Sequence, residues 1–173
     1  MEKGYIQVYT GNGKGKTTAS LGLTLRAAGA GFKVLIVQFM KQGDYSEHKA
    51  LERFSDLVTI KQFGAGAWVK GKPSEEEVMR AREGFSLLQE AMKSGAYDVV
   101  VAEEANTAMK YGLIGLEEML ELMENKPETT ELVITGRYAH EAVMEKADLV
   151  SEIQPVKHYF KEQGVKARVG IEK

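Results

Sequence analysis

The chain predicts a single-domain α/β fold of the P-loop (RecA-like) type, a mostly parallel sheet with helices on both faces. Three observations carry this. Short apolar runs alternate with helical segments along all 173 residues, the pattern of strand–helix–strand crossovers. Some runs, such as Val34-Leu35-Ile36-Val37, are apolar without interruption, as strands buried on both faces are. Residues 10–18 read T-G-N-G-K-G-K-T-T directly after the first apolar run, which places a glycine-rich loop between a strand and a helix.

The elements follow in order. Residues 5–9 form the first strand and residues 17–30 a helix, with Leu21, Leu25 and Ala28 at helical spacing and a stop near Gly29 and Gly31. Residues 34–39 are a buried strand, 45–54 a short helix and 57–63 a weaker strand. Ser74 followed by Glu77 is a capping box that opens a long helix to about Ser94. Residues 97–102 are the next buried strand, followed by helical stretches at 107–111 and 116–125. A strand at 131–135, a helix at 140–147 and a last strand at 149–153 complete the alternation. Pro73, Pro127 and Pro155 fall at element boundaries, and no linker, repeat or low-complexity segment divides residues 1–173, which read as one nucleotide-binding domain.

Composition narrows the function. At 19.1 kDa the chain is long enough for one real core. A net charge of -2 and a pI near 6.0 give no nucleic-acid footprint. With no cysteine there is no disulfide, thiol nucleophile or thiolate-bound metal, which fits a cytoplasmic location. No apolar stretch approaches the roughly 20 residues of a membrane span, and Met1 to Gly4 leave no room for a signal peptide before the first strand. His48, His140 and His158 have no zinc-site spacing.

The loop explains its own residues. Gly11, Gly13 and Gly15 reach backbone angles closed to other residues and present no Cβ to an approaching phosphate. Together with Asn12 and Thr18 they line a nest of amides that the following helix dipole reinforces. Lys16 can reach the β- and γ-phosphates, and Thr17 can ligate Mg²⁺. The strict pattern expects glycine where Thr10 stands, and Lys14 adds a second cation inside the loop.

A second signal closes the strand at 97–102. Glu103 and Glu104 follow at the carboxyl end, where open α/β sheets place ligands. Glu103 suits Mg²⁺ or its water shell, in a position where aspartate is usual, and Glu104 suits metal support or substrate orientation. Both residues also suit a solvated helix start. Arg137, beyond Thr135-Gly136, suits phosphate or ribose equally with a structural ion pair. Met119 and Met123 at helical spacing read as core, and Glu75 to Glu77 as a helix start rather than a metal cluster.

The ordered set G-N-G-K-G-K-T-T-A (11–19), E-E-A-N-T-A-M-K-Y-G-L (103–113), T-G-R (135–137), A-D-L-V-S-E (147–152), V-K-H (156–158) and G-V-K-A-R-V-G-I-E (164–172) resembles the P-loop type of ATP:corrinoid adenosyltransferase. The resemblance covers almost the whole chain, and the ordered set is far more specific than the loop alone. It implies transfer of the 5′-deoxyadenosyl group of ATP to a cob(I)corrinoid with release of triphosphate, in adenosylcobalamin biosynthesis. It implies ATP held with its phosphate order reversed along the loop, Mg²⁺, an electron donor such as a flavoprotein, and a homodimer.

Where relatives carry Leu-Asp-Glu this chain has Ala102-Glu103-Glu104. Some relatives carry an N-terminal extension over the corrinoid, so a more open site is expected here. Relatives also place aromatics on the corrinoid side after a glycine-rich turn, which here is Gly64-Ala65-Gly66. Trp68 is the aromatic that fits this role, as it also fits an ordinary core, while Phe63 reads as core. From the residues alone, a small P-loop kinase or NTPase and a nucleotide-dependent binding protein stay open beside the transferase.

Overall fold

The computed structural model describes residues 1–65 and 71–173. Six strands form one sheet in the order β3-β2-β4-β5-β1-β6, with β1 at Ile6–Thr10, β2 at Val34–Gln38, β3 at Val58–Gln62, β4 at Val99–Glu103, β5 at Glu131–Thr135 and β6 at Leu149–Glu152. Every pairing is parallel, so all six carboxyl ends meet at one edge. The expected α/β P-loop class is what the chain adopts.

Among the described residues there are seven α-helices, α1 (Lys16–Gly29), α2 (Ser46–Leu51), α3 (Glu75–Ser94), α4 (Ala105–Lys110), α5 (Leu116–Glu124), α6 (Glu141–Lys146) and α7 (Tyr159–Gln163), of which the first six pack on the sheet. Successive strand residues serve opposite faces. Leu35, Val37, Val100 and Leu132 meet α3, α4, α5 and α6 through residues such as Leu88, Met119 and Val143. Val34, Ile36, Val101 and Val133 meet Ala27, Ala28 and Leu51 of α1 and α2 on the other side. Burying each such aliphatic side chain contributes about 1.5–3 kcal/mol. Met119 and Met123 are core, and Phe63 packs against it, as expected.

Local signals held where they rested on backbone chemistry. Ser74 Oγ accepts the Glu77 amide at 3.2 Å while Glu77 Oε2 accepts the Ser74 amide at 2.7 Å, and α3 ends on Gly95 in the left-handed region at φ 60°. Three expectations shift. On α1, Leu25 is 53% exposed; the buried stripe is Ser20, Thr24, Ala27 and Ala28, small residues that let the helix lie close on β2, β4 and β5. The fourth strand runs through Glu103, because that residue is in register with Gln38 and its carbonyl accepts the Phe39 amide at 3.1 Å. The tail, read without an element, contains α7, begun by His158, whose Nδ1 accepts the Phe160 amide at 3.3 Å. Among the described residues no helix is long and apolar enough to cross a membrane.

Candidate active site

The loop between β1 and α1 opens at the carboxyl edge of the sheet. Gly11 has φ +95° and Gly15 φ +130°, angles that L-residues rarely adopt. A second constraint comes from below. A Cβ on Gly13 would stand 2.7 Å from the Ile153 carbonyl oxygen, and one on Gly11 2.4 Å from it. The Gly13 amide donates to that same carbonyl at 2.7 Å. Two of the glycines therefore answer to the chain leaving β6, a reason beyond the phosphate approach expected from the sequence.

Lys16, in the first turn of α1, is 6% exposed; its Nζ donates to the Gly11 and Gly13 carbonyls at 2.7 and 2.8 Å, which braces the loop. Burial holds its ammonium below the ordinary lysine range, with Glu104 opposing. Thr17 Oγ1 donates to Glu103 Oε1 at 2.5 Å. The two come from α1 and β4, while β5 lies between β4 and β1, so the contact spans the sheet edge.

Glu103 is 1% exposed. Its Oε1 also lies 3.3 Å from Lys41 Nζ, and its Oε2 has no hydrogen-bond partner among the described residues. Burial pushes this carboxyl above the usual range, and Lys41 opposes that push. Burial acts to lower the Lys41 ammonium, yet Glu103 and Glu47 outweigh it and the net shift is upward. Glu104 stands in the left-handed region at φ 59°, a strained position for a non-glycine residue. Its amide donates to Thr135 Oγ1 at 3.0 Å and its carboxylate accepts the Thr107 hydroxyl at 2.5 Å. That geometry turns the side chain from the buried strand line into the cavity.

The cavity measures about 830 Å³. Asn12 to Thr18, Glu104 and Arg137 line it, so the structure brings these expected residues together. Gly11 and Glu103 lie outside the lining, the first against Ile153 and the second buried beneath Thr17. Arg137 is exposed, and among the described residues its side chain makes no ion pair. Trp68 lies outside the described residues.

Sequence reasoning missed two contributors. Lys41 follows the end of β2, and the rule that pointed to Glu103 at a strand's carboxyl end applies to it equally. The far wall is the tail, with Tyr159, Phe160 and Lys166 facing the loop. Tyr159 and Arg168 both hydrogen-bond Glu172, and Ser46 Oγ donates to the Lys173 main-chain oxygen at 2.9 Å, which ties the tail to α2. The V-K-H and G-V-K-A-R-V-G-I-E strings were visible, but nothing in their spacing says that they return to the loop.

A glycine loop at the mouth of a parallel sheet, with a buried carboxylate bonded to the loop's threonine, defines a protein of the P-loop fold. The chain belongs to the family described as ATP:corrinoid adenosyltransferase BtuR/CobO/CobP, which matches residues 2–172. It is 37% identical to the corrinoid adenosyltransferase of Escherichia coli strain K12, over 99% of this chain and 86% of that protein. It is 35% identical to corrinoid adenosyltransferase CobA of Salmonella typhimurium, over 99% and 86%. The corrinoid adenosyltransferase of Pseudomonas aeruginosa is 33% identical, over 99% and 84%.

Proposed function

We propose that this chain, residues 1–173 acting as one domain, transfers the 5′-deoxyadenosyl group of ATP to the cobalt of a reduced cob(I)corrinoid in adenosylcobalamin biosynthesis. The cobalt electron pair forms the Co–C5′ bond, the C5′–O bond breaks, and that electron pair leaves on triphosphate. The observation that carries the reading is the Thr17–Glu103 contact beneath the lining of the 830 Å³ cavity, in a chain of this family. Since Co(I) is itself the nucleophile, the protein needs no Cys or Ser–His pair. Its task is to hold C5′ facing the corrinoid and to neutralise the leaving triphosphate. Lys14, Lys16, Thr18 and the loop amides are assigned to the phosphates, Arg137 to phosphate or ribose, and Glu104 to orientation of the substrate.

Mg²⁺ fits the donors present. Among the described residues no three His, Asp or Glu side chains cluster into a metal cage. Mg²⁺ commonly takes one or two protein oxygens and completes its shell with water and substrate phosphates. The Thr17 hydroxyl and the Glu103 carboxylate, with its unpartnered buried Oε2, supply such a pair. Bound there with ATP, the ion would supply positive charge for the leaving group.

Trp68 is assigned to the corrinoid side on the sequence alone. A flavoprotein-type electron donor, a homodimer and a cytoplasmic setting complete the reading on the strength of the family resemblance. A kinase or NTPase, open while the loop stood alone, loses ground once the family is established. Anaerobic incubation with ATP, Mg²⁺ and chemically reduced corrinoid tests the reading. The visible spectrum of an alkylated corrinoid and stoichiometric triphosphate are expected; ADP and phosphate would overturn it.

A further inference from the structure

Lys41 has no place in the roles assigned so far, yet among the described residues it is the one cation paired with the buried carboxylate. Its Nζ lies 3.3 Å from Glu103 Oε1, the oxygen that also accepts the Thr17 hydroxyl. The backbone beneath it is clamped. Lys41 carbonyl accepts the Gly64 amide at 3.1 Å, and a Cβ on Gly64 would meet Lys41 main-chain atoms at 2.6–2.7 Å. The head, by contrast, has a second berth. Glu47 Oε1 lies 3.6 Å from the same Nζ, and the Tyr45 ring centroid 5.2 Å from it. Both belong to the segment that enters α2, and Glu47 lines the cavity beside Lys41.

We propose that Lys41 is a positioning residue that competes with the divalent cation for Glu103. Its ammonium pairs with the buried carboxylate beside Thr17, and it withdraws toward Glu47 and Tyr45 when the metal takes the carboxylate. A buried carboxylate without a cation is costly, so exchanging one cation for the other is favoured over leaving the carboxylate bare. The Glu47 berth keeps the displaced ammonium paired, which lowers the cost of exchange. This inference rests on the reading of Glu103 as a metal-side residue.

Mn²⁺ serves as the probe, with free ion read by electron paramagnetic resonance in the intact, nucleotide-free protein. Removing the competitor in Lys41→Met is expected to tighten Mn²⁺ binding by about tenfold, the worth of one charge-assisted contact. Lys41→Arg, which keeps the charge, is expected to return to the wild-type value. Glu47→Gln is expected to weaken binding, because the ammonium is then left on Glu103, and to have no effect in the Lys41→Met background. A merely structural lysine would not give opposite signs at the two sites. Glu47→Gln also keeps the test open where Lys41→Met melts early. Unchanged or weaker Mn²⁺ binding in a folded Lys41→Met protein overturns the proposal for Lys41 alone. Unchanged binding in Glu103→Gln overturns it together with the metal reading on which it rests.

Discussion

Thr17 Oγ1 donates to Glu103 Oε1 at 2.5 Å, joining the first turn of α1 to the last residue of β4 across the line of β5. One carboxylate thereby senses both the loop and the neighbouring lysine. Thr17→Val removes the donor while keeping the shape. It is expected to cost about 1–3 kcal/mol of stability, because a buried acceptor loses a partner. Thr17→Ser is expected to restore most of it. Chemical denaturation of the two variants checks this, and equal stability for valine and threonine would discount the contact.

Lys16→Ala is expected to abolish transfer while the fold survives. The loss of a charge-assisted phosphate contact costs about 1.5–3 kcal/mol in ATP binding and more where charge builds on the leaving group. The lysine also bridges the Gly11 and Gly13 carbonyls, so a modest drop in melting temperature accompanies the change. Near wild-type turnover at saturating ATP would remove Lys16 from its assigned role.

Glu103→Gln is expected to raise the Mg²⁺ requirement sharply. Glu103→Asp keeps the charge but withdraws the carboxylate by about 1.5 Å from Thr17 and Lys41, so partial activity with an intermediate requirement is expected. Magnesium titrations of both variants decide it, and unchanged midpoints would assign the metal to ATP alone or to Glu104.

Gly13→Ala tests the floor of the loop. The added methyl meets the Ile153 main-chain oxygen at 2.7 Å and, both at 2.9 Å, the Gln154 carbonyl carbon and the Ile153 Cγ2, so moving the side chain alone leaves two main-chain clashes. A loss of about 1–3 kcal/mol is expected. Trimming Ile153 to alanine in the same protein should fail to rescue it. Rescue would place the clash in the side chain instead.

His48 gives the protein a pH signature. Its Nε2 pairs with Gln38 Oε1 at 2.8 Å; burial, then the Lys41 charge, hold its imidazole below the usual range against the pull of Glu47. A histidine depressed in the folded state takes its proton more readily when unfolded. Its stabilising contribution is therefore present above the unfolded value of about 6.5 and is lost as pH falls from there toward the folded value. Thermal melts between about pH 7 and 5 should show the decline, and His48→Gln should flatten that part of the profile.

What was legible in the sequence was local. The loop's spacing, the Ser74–Glu77 box and the uninterrupted apolar strands depend on residues a few positions apart, and backbone chemistry alone gives them meaning. The loop residues, Glu103 and Glu104 were singled out because a P-loop and a strand's carboxyl end announce themselves. Lys41 also lies past a strand's carboxyl end, but its meeting with Glu103 depends on β2 pairing with β4, which brings the two strand ends side by side. Of the apolar residues at helical spacing on α1, Ala28 is buried but Leu25 is exposed, because spacing cannot say how closely a helix approaches a sheet, and close approach favours Ser20, Thr24 and Ala27 over Leu25. The tail's return to the loop, Ile153 beneath Gly13 and the span from Thr17 to Glu103 join residues at least 86 positions apart in sequence. Order of strands, not periodicity, decides such meetings, because each strand's neighbours are chosen by the packing of the whole sheet.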